Sequence, residues 1–452
     1  MTCEKHPNTL HEALTQHFAP VALEHLVVTR RDFPHWLRPD LQQALDSSFA
    51  RLSAARFLGA RLRDRDLEFR FADLIEAGPK AVAVGPAEYQ EADTGESQPV
   101  RCLVRGLWLA HDEGVRFGLL LDVSEGFRGA RARLELAVPP GEAPTRFAAR
   151  HAEHIRTETE QARAWRGKTL VLDRAHDDFE ISAAGLRVER FVKVRREDIV
   201  LPERTLVLFE RNTFGFAAQA DRLAQLGLPA KKGVLLYGPP GTGKTMLVRW
   251  LAGALDGYTK LIVKAEHYAL LDDYLSVARM LQPALIVLED VDLVAGHRSG
   301  PFAGRGAALN LLLNEMDGLA PEAHVLFVLT TNRPEVLEPA LAARPGRIDQ
   351  AIEIGLPGEA ERKLLLRCYA GGLTVDEALV ATMAKRLDRA SPAFIKEVMR
   401  RAAQAMLERG GTRALEPRDV DGAIEDMLGV GGRLVARMLG AEGAIGFTAQ
   451  VR

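Results

Sequence analysis

The chain has 452 residues, and at roughly 100–200 residues per domain that length suggests about two to four domains. With 47% hydrophobic and 27% charged residues it reads as a soluble globular protein with a sizeable core, and a net charge of −2 excludes a long-range field toward nucleic acid or anionic membrane. Three widely spaced cysteines (Cys3, Cys102, Cys368) exclude a disulfide framework and a four-Cys zinc site, and point to a reducing compartment.

Residues 1–80 are expected to be mostly helical, with an amphipathic stretch opened by Pro39 and Asp40 that runs to about Leu58. Acidic Glu4, Glu12 and Glu24, without a long apolar stretch, argue against a secretory signal or transit peptide. Across 98–123 the period changes: Val100 to Leu109 and Val115 to Leu121 read as a hairpin closed by Asp112-Glu113-Gly114. A strand at Leu134–Val138, a helix from about Pro144 to Trp165, and strands at Thr169–Leu172 and Leu186–Val194 follow. Residues 1–195 are therefore expected to be an α+β domain, with no motif that belongs to a reaction. His11-Glu12-Ala13-Leu14-Thr15 fails the His-Glu-x-x-His zinc pattern at its last position, and His151-Ala152-Glu153-His154 has the wrong spacing, so both read as surface histidines.

The texture changes near Pro202. From Lys232 the order strand, Gly-rich turn, helix, strand repeats, as in a parallel α/β sheet. Val234–Tyr237, Leu261–Lys264, Leu285–Leu288, Val325–Leu329 and Ala351–Ile354 are short apolar runs of the buried-strand type. Each is far below the ~20 residues needed to cross a bilayer. After Pro357-Gly358 only helical patterns remain to about Leu428, and a Gly-rich tail from Gly429 reads as flexible.

Gly238-Pro239-Pro240-Gly241-Thr242-Gly243-Lys244-Thr245 sits between a strand and a helix, the setting a phosphate-binding loop requires. Its glycines let backbone amides turn toward phosphate oxygens at a helix N-terminus; Lys244 can reach the β- and γ-phosphates, and the Thr245 hydroxyl can ligate Mg²⁺. Leu285-Ile286-Val287-Leu288-Glu289-Asp290 is an apolar strand ending in two acids, which can address a metal ion and an attacking water separately. Asn332, after Thr330-Thr331, can orient that water, while Asn332-Arg333-Pro334-Glu335 also has the form of a helix cap; the two roles can coexist. Arg344-Pro345-Gly346-Arg347 holds two guanidinium groups on a stiff turn, suited to a neighbour's γ-phosphate rather than their own.

Together these segments resemble the AAA family of ATPases over about residues 202–428. Gly238–Thr245 matches Walker A, Leu285–Asp290 Walker B, Asn332 sensor 1, and Arg344 and Arg347 the paired arginine fingers. Asn314-Glu315-Met316-Asp317-Gly318-Leu319 is similar to the family's intersubunit segment. The resemblance implies an α/β P-loop domain at 202–356, a helical lid at 357–428 and a tail at 429–452. It also implies ATP with Mg²⁺ bound by Gly238, Pro239, Pro240, Gly241, Thr242, Gly243, Lys244, Thr245 and Met246, and usually a homo-hexamer with nucleotide at its subunit interfaces.

The chain departs from the family in places. Most members end Walker B with Asp-Glu, and here the order is Glu289-Asp290. Asp292 sets the register without a gap, so Glu289 takes the metal position and Asp290 the base position, one methylene shorter. This Leu-Glu-Asp-Val-Asp order, and Leu271-Asp272-Asp273-Tyr274-Leu275 before it, resemble the mitochondrial inner-membrane AAA translocase group, whose transmembrane helix has no counterpart here. No glycine occurs between Gly257 and Gly296, so the aromatic–hydrophobic–Gly pore loop of polypeptide-threading rings is missing. Tyr268 and Tyr274 read as core, and the loop with Arg298, Phe302 and Arg305 can line a channel or be an ordinary loop. The expected function is a cytoplasmic ATPase ring that remodels or moves a protein partner bound by the N-terminal domain, with no nucleic acid and no membrane span. The alternative is a slow-hydrolysing nucleotide-dependent switch or scaffold; a DNA-acting ATPase is disfavoured by the near-neutral charge.

Overall fold

The computed structural model describes residues 7–52, 54–61, 69–75, 81–126, 129–174, 183–190, 192–296, 314, 318, 320, 322–337 and 348–428. The chain forms two compact units, Met1–Glu189 with Asp272–Leu281, and Arg190–Leu271 with Gln282–Arg452.

The first unit is built on an antiparallel sheet of β1 (Val27–Pro34), β2 (Arg56–Arg61), β3 (Ala83–Gly85), β4 (Glu88–Ala92), β5 (Val100–Asp112), β6 (Val115–Gly126) and β7 (Gly129–Val138). Their order is β1-β7-β6-β5-β2-β3, with β4 also on β5. The expected β5–β6 hairpin is present: Asp112 pairs with Val115 across Glu113 (φ 47°) and Gly114 (φ 79°). Two successive residues at positive φ give the turn whose twist matches that of the strands. Alternate residues feed opposite faces. Leu119, Leu121, Leu134 and Leu136 pack with Leu41 and Leu45 of the helix Arg38–Ala50 and with Phe147 and Ile155 of the helix Glu142–Glu160. Leu107, Leu109 and Leu120 pack with Leu10, Leu14 and Phe18 of the helix Leu10–Phe18. A second hairpin joins β8 (Thr169–Arg174) to β9 (Ala183–Val188).

The expectation that residues 1–80 are mostly helical is corrected here. β1 and β2 lie within them, and the helix opened by Pro39 stops at Ala50, so that Leu58 belongs to β2. On β1, Arg30, Arg31 and Asp32 break the apolar alternation, because much of that strand is only partly covered and Asp32 instead accepts from Arg30 and Arg133. The strand expected to reach Val194 ends at Val188.

The second unit carries β10 (Lys231–Tyr237), β11 (Thr259–Val263), β12 (Ala284–Leu288), β13 (Val325–Thr331) and β14 (Gln350–Glu353), paired in parallel in the order β14-β10-β13-β12-β11. Every residue of β11, β12 and β13 is buried, which explains their unbroken apolar runs. Helices Glu359–Ala370, Glu377–Arg386, Pro392–Glu408 and Pro417–Leu428 enclose a separate core around Leu366, Met383, Ile395, Val398 and Ile424. Ser391 caps the third of these by accepting from the Phe394 N–H, with Pro392 at the first helical position.

Candidate active site

All strand ends that matter lie in the second unit. β10 ends at Tyr237, and the chain turns at Gly238 (φ 147°), where a Cβ would come within 2.2 Å of the Ile354 carbonyl oxygen. Only glycine fits that approach. Gly243 (φ 105°) then takes the cap position of the helix Lys244–Ala254, a conformation that glycine adopts without steric cost. Thr242 Oγ1 donates to the Pro239 carbonyl at 2.9 Å and stiffens the turn. Pro239, Pro240 and Met246 are half-buried, while Gly241 and Thr245 are exposed.

Lys244 is only 6% exposed, and its Nζ donates to the Gly238 and Pro239 carbonyls at 2.8 and 2.9 Å. Burial lowers its pKa to about 8, against the opposing pull of Asp290 and Asp292. A buried ammonium at the mouth of a glycine turn is well matched to a polyanion.

Two acids end β12. The Glu289 carboxylate accepts a hydrogen bond from the Thr245 hydroxyl, and its pKa is raised by burial first and by Asp290 second. Tyr268 Oη donates to the Glu289 carbonyl at 3.0 Å. Asp290 sits in the left-handed region (φ 52°), unusual for a residue with a side chain but tolerated by Asp. Its pKa is raised by burial, then by Asp292. Asn332, just beyond β13, donates from Nδ2 to Asp290 Oδ1 at 3.1 Å. The amide thus meets the acid across two adjacent strand ends.

These groups fit a divalent cation: half-buried carboxylates whose pKa values are raised by burial first and by a neighbouring carboxylate second, beside a hydroxyl, are a hard-oxygen donor set that a cation would neutralise. Thr245 and Glu289, joined by a hydrogen bond, could hold it. Tyr268 and Tyr274 are both buried, and Tyr274 Oη accepts from the Leu172 N–H, so both belong to the interior as expected. His11 Nδ1 lies 3.2 Å from the Leu74 carbonyl.

Some participants were not anticipated. Thr330 Oγ1 accepts from the Asp290 N–H at 3.0 Å, and Asp292 accepts from Thr331 and Asn332. A polar Thr330-Thr331 pair closing an otherwise apolar strand was the available signal. The Ala393 N–H donates to the Gly241 carbonyl at 3.2 Å, which brings the capped end of the helix Pro392–Glu408 onto the glycine turn. Arg344 and Arg347, the loop with Arg298, Phe302 and Arg305, and the tail from 429 lie outside the described residues, as does 314–319 except for Asn314 and Gly318.

Among known proteins, the family model of the ATPase family associated with various cellular activities (AAA) matches residues 234–356. The 26S proteasome regulatory subunit 10B of Dictyostelium discoideum is 40% identical over 176 residues, which cover 35% of this chain and 44% of that protein. The ATP-dependent zinc metalloprotease FtsH 2 of Symbiobacterium thermophilum is 34% identical over 237 residues, 49% of this chain and 40% of the relative. The chain therefore spans less than half the length of these curated relatives. Among the described residues, no helix is long and apolar enough to cross a membrane.

Proposed function

We propose that this chain, whose residues 234–356 match the AAA family model, is an AAA ATPase that binds ATP with Mg²⁺ and hydrolyses it in an oligomeric ring that remodels a protein partner. The observation that carries the reading is the Asn332–Asp290 hydrogen bond at 3.1 Å, formed beside the buried Lys244 and the Thr245–Glu289 pair. The turn Gly238–Gly243 and Met246 surround the nucleotide, and Lys244 leaves its two carbonyl acceptors for phosphate oxygens. Thr245 and Glu289 would hold Mg²⁺, which when bound would supply charge neutralisation at the phosphates. Asp290 takes the proton of the attacking water, and Asn332 holds that water by its amide. The raised pKa of Asp290 supports this role, because a more basic carboxylate accepts a proton more readily.

The backbone at Asp290 also accounts for the reversed acid order. Left-handed φ costs an ordinary L-residue roughly 1–2 kcal/mol, and Asp and Asn are the side chains that visit it most readily. Asp290→Glu should therefore restore the family's longer carboxylate without raising turnover, and should lower the melting temperature by several degrees. A variant that turns over faster at unchanged stability would contradict this account of the shorter side chain.

The hexamer rests on Arg344 and Arg347, whose place in the sequence matches residues that reach a neighbour's nucleotide. Arg347→Ala is expected to bind ATP and to lose about 10³–10⁵ in rate. Excess Lys244→Ala mixed in should restore some turnover, since each variant supplies what the other's site lacks. No recovery on mixing would sink the shared site. The first unit, which carries none of these groups, is assigned to binding the protein partner. Near-neutral charge disfavours nucleic acid, and well-separated cysteines favour the cytoplasm. A slow-hydrolysing switch is the second reading, favoured by the shorter Asp290 side chain; turnover that stays slow with a partner present would select it.

A further inference from the structure

Asp292 acts above only as a nearby charge on Asp290 and Lys244, yet it is buried beside them with hydrogen bonds of its own. It lies in the first turn of the helix Val291–Gly296, immediately past the two acids. Its Oδ1 accepts from Thr331 Oγ1 at 2.8 Å and from the Asn332 backbone N–H at 3.2 Å. Thr331 Oγ1 in turn accepts from the Arg333 N–H at 3.0 Å, so three consecutive residues at the end of β13 hang on one carboxylate. In the opposite direction the Asp290 N–H donates to Thr330 Oγ1 at 3.0 Å. The ends of β12 and β13 are thereby tied twice by side chains, beyond the parallel ladder that ends at Leu288 and Leu329.

These ties have one geometric result. Asn332 lies one residue past the last strand residue, where ladder pairing no longer fixes it, and the clamp sets where its amide can reach. We propose that Asp292 is a positioning residue for hydrolysis: acting through Thr331 and the Asn332 backbone, it holds the Asn332 amide against the Asp290 carboxylate. This inference rests on the roles proposed for Asp290 and Asn332. A water held between acid and amide needs both partners fixed within a fraction of an ångström, so slack at the end of β13 lowers the chemical rate while leaving phosphate affinity alone.

The test uses the full chain, with kcat and KM from phosphate release and the affinity for a non-hydrolysable ATP analogue from calorimetry. Hydrogen bonds to charged groups are the stronger ones, so Asp292→Ala should lower kcat about 10- to 100-fold with analogue affinity within about threefold. Thr331→Val, which deletes one hydrogen-bonding atom at nearly constant shape, should lower kcat about tenfold, and Thr331→Ser should recover most of that loss. In an Asp290→Asn background, Asp292→Ala should add little, because groups that act as a unit are strongly non-additive. Thr331→Val carries the test if Asp292→Ala fails to fold. Wild-type kcat in Thr331→Val, or kcat and affinity falling together, overturns the positioning role. If Asp290→Asn alone keeps the wild-type rate, the reading of the base has failed instead, and the two failures are told apart by that single variant.

Discussion

Asp290→Asn should leave ATP binding intact and reduce turnover by about 10²–10⁴-fold, the usual share of general base catalysis. The substitution suits the question because it changes charge and little else. Asn tolerates the left-handed backbone that Asp290 adopts (φ 52°), so strain is not added. The substituent's oxygen can still accept from Asn332, and the Asp290 N–H keeps its Thr330 acceptor. Lys244 loses a nearby negative charge, but its hydrogen bonds to Gly238 and Pro239 are independent of position 290. Single-turnover phosphate release, with calorimetry of ATP binding, checks both halves. A variant that hydrolyses at the wild-type rate places the base elsewhere and the register of the two acids with it.

Lys244→Ala is the complementary experiment, with binding rather than chemistry as its readout. Charge-assisted hydrogen bonds to phosphate contribute about 1.5–3 kcal/mol each, so affinity should fall at least about a hundredfold. The fold should survive, and the pKa says why. A lysine held at about 8, against an ordinary 10.5, is a cation that burial disfavours. Its folded-state pKa is depressed, so it binds fewer protons folded than unfolded between about 8 and 10.5. The destabilisation is full below that window and disappears as pH rises through it. Removing the charge relieves that cost, while truncation gives up the two hydrogen bonds to Gly238 and Pro239, so the melting temperature at pH 7 should change little. Unchanged ATP affinity in calorimetry would remove the phosphate-loop assignment.

Much of the second unit was legible because its strands β11, β12 and β13 are buried on both faces. Val325 to Leu329 and Leu285 to Leu288 read as strands without any alternation to decode, and both are fully buried. The glycine turn was legible for a steric reason, since Gly238 meets the Ile354 carbonyl and no other residue fits. β1 was not, because Arg30, Arg31 and Asp32 satisfy one another and Arg133 instead of alternating with apolar residues. The left-handed φ of Asp290 is a backbone property that side-chain identity only permits. The Asp292 clamp and the Ala393–Gly241 contact join residues far apart in the chain, and hydrogen bonds of that kind leave no periodic trace.

In the mechanism we propose, Asp290 and Asn332 act on the attacking water, with Glu289 at the metal, in a site completed by a neighbouring chain. The most direct measurement is phosphate release per chain from the wild-type protein, with and without Mg²⁺, over a wide range of protein concentration. In that mechanism release should depend on Mg²⁺, with a rate per chain that rises with concentration and then levels as rings fill. Release that is absent throughout, or a rate per chain that is the same at every concentration, would contradict it.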